Sequence, residues 1–194
     1  MAVELPDEAK SPLEVLLSGL RELRIGGLRP VRVEALHITL KFVGDVPVER
    51  VAPIGDALVG AARGVDASAA RLHGVGAFPS LDSPQVLWVG LSGNLATLAR
   101  LHHAVEAALA PLGFPPDRRP FAPHLTLARL RDRVPPAQRA FVGEALRRLR
   151  WAEGVPVPVA AISLVQSTLR PQGAEYRTLL RAPLAVAPKD PRPG

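Results

Sequence analysis

The chain has 194 residues, of which 47% are hydrophobic, and its formal net charge is +6. This length fits one domain or two small lobes that share a cleft, and the apolar content is ample for a core. The absence of cysteine excludes disulfides, thiolate metal sites and a thiol nucleophile.

The positive charge comes almost entirely from arginine, since only three of the 24 basic residues are lysines. Arginine suits bidentate contacts with phosphate, and a basic surface suits RNA. A G+C-rich genome would produce the same composition, so the charge supports an RNA partner without establishing one.

The amino-terminal stretch Met1–Lys10 contains three acidic residues and no long apolar core, which argues against a secretory signal. No run approaches the roughly 18 apolar residues needed to cross a bilayer. We therefore expect a cytoplasmic protein without a membrane partner, and we expect a monomer.

Period-two and helical apolar patterns alternate along the chain and predict an α+β order. A short strand at Ala2–Leu5 is followed by a helix with Ser11 as N-cap and Pro12 at its first position, ending at Gly26–Gly27. Further helices are predicted at 47–64, 95–112 and 136–150, and further strands at 67–77, 85–91, 155–169 and 175–184. We expect one bilobal domain over residues 1–187 and a disordered tail over 188–194.

The most informative feature is a motif that occurs twice, as His37–Ile38–Thr39–Leu40 and as His124–Leu125–Thr126–Leu127. One His–x–Thr–Leu is expected only about 0.02 times per shuffled chain of this composition, so two copies are strong evidence. In each copy the polar and apolar residues alternate, which predicts a strand with His and Thr on the face opposite the apolar residues.

Two imidazoles and two hydroxyls suit general acid–base chemistry at a phosphoryl group. One histidine can take a proton from a nucleophile while the other gives one to the leaving group. Thr39 and Thr126 can donate hydrogen bonds to phosphoryl oxygens, and Lys41, two residues after Thr39, could add positive charge. Neither motif includes a carboxylate, so the pattern favours chemistry without a metal or another cofactor.

The other three histidines have no threonine partner at this spacing. His102 falls in the apolar stripe of a predicted helix and His103 is beside it, so we expect packing roles for both. His73, on a predicted strand, is interpreted as incidental.

The two motifs and their flanks resemble the RNA 2′,3′-cyclic phosphodiesterase family, also called 2′–5′ RNA ligase-like or LigT-like, of the 2H phosphoesterase superfamily. The resemblance extends to about Leu184 and is carried by these segments: Glu4–Glu8, His37–Gly44, Val86–Leu91, Arg119–Arg129, and Ser167–Leu169 with Gly173 and Tyr176. One departure is the short opening strand, where relatives have a longer one that contains Phe.

The resemblance implies a bilobal α+β fold in which two antiparallel sheets flank a central cleft, with helices outside and a pseudo-two-fold duplication. It implies hydrolysis of an RNA 2′,3′-cyclic phosphate to a 2′-phosphate, with His37 as proton donor and His124 as acceptor, and reversible 2′–5′ ligation. It also implies phosphate binding by Arg129. Strict alternation places Arg129 on the other face, so a bulge or strand end would be needed to bring it to the site.

Three alternatives remain open from the sequence. The two histidine roles could be reversed, because nothing in either motif separates them. The substrate could be another phosphodiester, such as a 2′–5′ linked oligonucleotide or a small cyclic nucleotide. The chain could also be a basic RNA-binding module whose histidine pair has no catalytic role.

Overall fold

The computed structural model describes residues 1–170 and 173–185. Within them the chain forms four α-helices: α1 (Asp7–Glu22), α2 (Val51–Arg63), α3 (Ala96–Leu109) and α4 (Pro136–Arg148). The strands of the same region are β1 (Ala2–Glu4), β2 (Leu28–Pro30), β3 (His37–Thr39), β4 (Ser68–Phe78), β5 (Val86–Gly93), β6 (His124–Leu130), β7 (Pro156–Val159), β8 (Ala161–Arg170) and β9 (Gly173–Pro183).

The strands pair antiparallel in the order β7-β4-β5-β6-β3-β1-β8-β9, with β2 also on β6. The order divides into two half-sheets that meet between β3 and β6. We call β3, β1, β8 and β9 the first half-sheet, and β6, β5, β4, β7 and β2 the second. Each motif strand is the innermost strand of its half-sheet, which is the arrangement that a pseudo-two-fold duplication predicts.

Helix α2 packs against the first half-sheet and α3 packs on α2, whereas α1 and α4 pack against the second half-sheet. Helix α2 contacts β8, β9 and α3, whereas α1 contacts β2 and β6, and α4 contacts β4. The predicted α+β class, with antiparallel strands in two halves and helices outside, is confirmed. The halves are hydrogen-bonded to each other through β3 and β6, so they form one curled sheet.

Helix α1 shows where the local sequence pattern misled. Its buried stripe is the predicted one, Leu13, Leu16, Leu17 and Leu20. The helix begins at Asp7, however, after the extended Pro6, with Asp7 and Glu8 in the first turn. Acidic side chains there favour the positive end of the helix dipole. The N-cap predicted at Ser11 is therefore wrong, and Pro12 lies inside the helix, where it omits one backbone hydrogen bond.

Other predicted elements lie within a few residues of the observed ones, with two exceptions. Strand β2 was not predicted, and the single strand predicted at 155–169 is two strands, β7 and β8, which belong to different half-sheets. The first motif strand is shorter than its alternating pattern suggests, since it ends at Thr39. The predicted tail at 188–194 lies outside the described residues. Among the described helices, none combines the length and apolarity that crossing a membrane requires.

Candidate active site

The two motifs meet at the junction of the half-sheets, where Ile38 pairs with Leu125 in antiparallel register. Both residues are fully buried and face the core. Since each is the middle of a His–x–Thr triplet, the antiparallel direction sets His37 beside Thr126 and Thr39 beside His124. The four polar side chains share the face opposite the core, and diagonal neighbours in such a ladder are about 7–8 Å apart.

Both imidazoles are held by the same local hydrogen bond. Nδ1 of His37 donates to the carbonyl of Ala35 at 2.8 Å, and Nδ1 of His124 donates to the carbonyl of Ala122 at 2.7 Å. A carbonyl can only accept, so Nδ1 carries the proton in each ring. Nε2 is then the atom that gains or loses a proton, and no described residue is hydrogen-bonded to it in either ring.

Burial lowers the pKa of His37 below its ordinary value of 6.5, because the charged ring loses solvation. The hydrogen bond to Ala35 and the charge of Glu4 act in the opposite direction but are outweighed. In the ligand-free protein His37 is thus mainly neutral at pH 7.

Aromatic rings flank both histidines. Tyr176 meets His37 edge-on with ring centroids 5.0 Å apart, and Phe78 meets His124 edge-on at 5.1 Å. Trp88 lies 5.5 Å from Phe78 and 6.5 Å from His124. Tyr176 is 41% exposed and Phe78 is 38% exposed, so each presents ring surface to solvent beside a motif histidine.

Two glycines make room for the indole of Trp88. A Cβ atom at Gly76, opposite Trp88 on β4, would lie 2.2 Å from the indole ring, and one at Gly90 would lie 2.9 Å from the His73 carbonyl and 3.3 Å from the indole. Trp88 Nε1 is buried without a hydrogen-bond partner in the described structure. The indole therefore lies over backbone that only glycine leaves open.

Glu4 lies directly across from His37 in the β1–β3 ladder. Burial acts to raise its pKa, but hydrogen bonds from Thr178 and Ser163 and the charges of Arg181 and Lys10 outweigh it, and the net pKa is lowered. The carboxylate borders two small cavities. One, of about 120 Å³, contains His37 and Tyr176 in its wall, and the other, of about 230 Å³, is lined in part by Ser163 and Arg181.

Arg129 lies on the same face as the motif histidine and threonine because β6 contains a bulge. Leu87 opposes Ala128, but the next residue, Trp88, opposes Thr126, so Leu127 is an extra residue. Leu127 and Ala128 are both buried, and the alternation resumes with Arg129 exposed. The bulge required to bring Arg129 to this face is present, and its role stays a prediction.

The expectation that Lys41 adds positive charge to the site is wrong, because its ammonium lies in the protein interior. Its side chain is 2% exposed, and its ammonium donates to both carboxylate oxygens of Glu106, at 2.9 and 2.8 Å, and to the Pro115 carbonyl at 2.8 Å. The amides of Leu40 and Lys41 both donate to the Met1 carbonyl, so the ladder is irregular after Thr39. Strict alternation therefore fails, and Lys41 turns inward instead of sharing the face of His37.

Helix α3 links the ends of the two motif segments. His102 donates from Nδ1 to the Leu40 carbonyl at 3.0 Å, and its ring stacks on Phe121 at 4.3 Å with an interplanar angle of 6°. Phe121 comes three residues before His124. The packing role predicted for His102 is confirmed, and its contacts connect the segment after the first motif to the segment before the second. The packing role predicted for His103 is wrong, because His103 is exposed.

Within the part of the chain that the structure describes, no group of three or more His, Asp or Glu side chains could hold a metal ion. Independence from metal remains a prediction for experiment.

The sequence model of the 2′-5′ RNA ligase superfamily matches residues 9–170. An RNA 2′,3′-cyclic phosphodiesterase of Aeropyrum pernix is 39% identical over 78% of this chain and 84% of its own length. The TT0787 structure of Thermus thermophilus superposes with a TM-score of 0.78 at 30% identity, covering 96% of this chain and 97% of that one. Escherichia coli LigT complexed with 3′-AMP superposes with a TM-score of 0.67 at 25% identity, covering 94% and 95%.

The curled antiparallel sheet, with one His–x–Thr strand from each half-sheet at the junction between the halves, defines a LigT-like fold. The chain belongs to the 2′-5′ RNA ligase superfamily.

Several neighbours of the histidines had no clear signal in the sequence. Phe78, Trp88 and Tyr176 are scattered along the chain, and only the pairing of distant strands brings each of them beside a motif histidine. Glu4 precedes His37 by 33 positions and meets it only because β1 pairs with β3.

Proposed function

We propose that this protein hydrolyses RNA 2′,3′-cyclic phosphate ends to 2′-phosphates by general acid–base catalysis with two histidines. The observation that carries the proposal is the antiparallel pairing of Ile38 with Leu125, which brings two His–x–Thr triplets to one face. The name of the Aeropyrum pernix relative supports the activity, and the complex of Escherichia coli LigT with 3′-AMP supports a nucleotide ligand.

In the proposed step, a water oxygen bonds to phosphorus while the bond from phosphorus to the ribose 3′ oxygen breaks. Nε2 of one histidine takes a proton from the water, and Nε2 of the other gives a proton to the 3′ oxygen. The hydrogen bonds from Nδ1 to Ala35 and Ala122 support this division, because they fix each ring with Nε2 directed away from its own backbone anchor.

The threonines are proposed to stabilise charge on phosphorus. Thr39 and Thr126 would donate to the non-bridging oxygens, where negative charge increases during attack. Thr39 lies beside His124 and Thr126 lies beside His37, each on the partner strand. Each half-sheet therefore contributes one hydroxyl and one imidazole to the site. Arg129 would extend the phosphate-binding face beyond the motifs.

The family resemblance gives His37 the donor role and His124 the acceptor role. Burial of His37 opposes this assignment in the ligand-free protein, since it favours the neutral ring. A bound anionic phosphate would favour the protonated ring. The donor role of His37 therefore requires that substrate binding raise the pKa of His37. In the reverse assignment His37 accepts a proton, and the neutral ring that burial favours is already the form required.

The exposed faces of Phe78 and Tyr176 are proposed as surfaces on which a base can stack near the reacting phosphate.

We also propose, as the sequence led us to expect, that residues 1–187 form one domain, that the protein acts as a cytoplasmic monomer, and that the hydrolysis is reversible as 2′–5′ ligation.

The proposal is tested with a short RNA that ends in a 2′,3′-cyclic phosphate, incubated with and without EDTA. The expected product carries a 2′-phosphate in both cases. A 3′-phosphate product, or activity lost in EDTA and restored by zinc, would contradict it. Salt-dependent RNA binding without turnover would instead support the binding module, and turnover of other phosphodiesters alone would indicate a different substrate.

A further inference from the structure

A pair of arginines lies beside the motif on the second half-sheet. In the β2–β6 ladder Arg29 is directly opposite Arg129. Residues that oppose each other in an antiparallel ladder project from the same face, with Cα atoms about 4.5–5.5 Å apart. The two guanidinium groups therefore extend from adjacent points on one face of the sheet.

That face is the one that carries the second motif. Arg129 opposes Val86 on β5, and Val86 shares its face with Trp88, which opposes Thr126. On β2, Arg29 is exposed while its neighbour Leu28 is 9% exposed and packs in the core. The bulge at Leu127 is what turns the arginine pair toward this face.

Neither guanidinium has a carboxylate within ion-pair distance in the described structure. Other arginines of this chain do: Arg21 pairs with Glu14, and Arg147 pairs with Asp82 and Glu144. Like charges directly opposite each other destabilise a sheet. An anion placed between Arg29 and Arg129 would remove that repulsion, and a phosphate accepts the parallel hydrogen bonds that arginine offers.

The position of the pair along β6 separates it from the reacting phosphate. Because Leu127 is an extra residue, Arg129 is only as far from Thr126 as Val86 is from Trp88, which is two residues or about 7 Å of strand. A nucleotide chain that enters the site along this face would bring an internucleotide phosphate near the pair while its terminal phosphate reaches the histidines.

We propose that Arg29 and Arg129 form a second phosphate subsite, which holds an internucleotide phosphate of the RNA strand upstream of the cyclic end. The inference rests on the proposed function, because it takes the His37–His124 site as the position of the RNA terminus. The subsite favours oligonucleotides over mononucleotides, since a cyclic mononucleotide has no second phosphate.

The test compares two substrates, a 2′,3′-cyclic mononucleotide and a trinucleotide that ends in a 2′,3′-cyclic phosphate. The measured quantity is kcat/KM for the trinucleotide divided by kcat/KM for the mononucleotide. In Arg29→Gln we expect this ratio to fall about fivefold, because an exposed charge contact contributes little more than that. Arg63→Gln, on the exposed end of α2, is the matched control and should keep the wild-type ratio. Arg29→Lys keeps the positive charge but loses the planar guanidinium that can donate two parallel hydrogen bonds. Its ratio should lie between those of the wild type and Arg29→Gln.

A binding measurement makes failure of the subsite distinguishable from failure of the proposed function. Affinity for the 2′-phosphorylated trinucleotide is measured against salt, which needs no turnover. Arg29→Gln should reduce the salt slope by about 1. Turnover by the wild type with an unchanged ratio and slope in Arg29→Gln would refute the subsite alone. A wild type that hydrolyses neither substrate would refute the proposed function, and the slope would still decide whether the arginine pair binds phosphate.

Discussion

Ile38 pairs with Leu125, and this one contact between buried side chains sets the geometry of the whole site. It aligns the midpoints of the two triplets, so that the strand direction alone places each histidine beside the threonine of the other strand. The core side of the pair is apolar and closely packed, and the opposite side carries the chemistry.

The lowered pKa of His37 has a consequence for folding. The unfolded chain has the ordinary histidine pKa of 6.5, and the folded chain has a lower one. As the pH falls below 6.5, the unfolded chain therefore binds more protons than the folded chain. The contribution of His37 to the free energy of unfolding declines over this range until the pH has fallen below the folded pKa. Urea unfolding between pH 8 and 5 should show a smaller decline for His37→Asn than for wild type. Equal declines would show that burial does not perturb this ring.

The buried Lys41–Glu106 pair should be essential for stability. Glu106→Gln removes the closer of the two carboxylates around the buried Lys41 ammonium and leaves only Asp117, at 3.4 Å. Removing one partner of a buried pair costs about 3–5 kcal/mol. Replacing both, as Lys41→Met with Glu106→Leu, should cost less than the sum of the single changes. Urea denaturation measures each value. Lys10→Met, which breaks an exposed pair with Asp7, should change stability far less than Glu106→Gln does. Additive single costs would exclude a coupled pair.

Gly76→Ala should disturb the site through Trp88. The new Cβ would lie 2.2 Å from the indole, so the ring must move, and with it the contact between Phe78 and His124. We expect lower thermal stability and a change in tryptophan fluorescence, together with lower activity. Gly60→Ala on α2 meets nothing within 4 Å, and a helical Gly-to-Ala change there should stabilise by about 0.5–1 kcal/mol. Wild-type fluorescence in Gly76→Ala would show that the indole does not lie over this strand.

A substrate with a sulfur in place of the ribose 3′ oxygen should separate the histidine roles. A thiolate leaves without a proton, so loss of the general acid matters little for this substrate, whereas loss of the base matters fully. If His37 is the donor, His37→Ala should recover most of its activity on the sulfur substrate and His124→Ala should not. The opposite result would reverse the assignment, and no recovery in either variant would contradict a general-acid role.

The sequence predicted the parts of the fold that depend on local repetition. The apolar stripe of α1 and the alternation at both motifs arise from side-chain periodicity, which is a property of each segment by itself. The shared face of His37 and His124 was predicted from duplication and family resemblance, and the strand order agrees with it.

The errors came from contacts between distant segments. Lys41 turned inward because its amide and that of Leu40 share the Met1 carbonyl and because Glu106 lies on a helix 65 residues away. No periodicity within the first motif contains that information. The bulge that places Arg129 and the pairing of Arg29 with it are likewise properties of the β5–β6 and β2–β6 registers.

The most direct test of the two-imidazole mechanism is the rate of cyclic-phosphate hydrolysis in His37→Ala and His124→Ala, measured beside His103→Ala. His103 is an exposed histidine on α3 outside the motifs and controls for loss of an imidazole. We predict that each motif variant loses about 10²–10⁴-fold in kcat while it keeps a native circular dichroism spectrum, and that His103→Ala keeps wild-type activity. Full activity in either folded motif variant would contradict the mechanism.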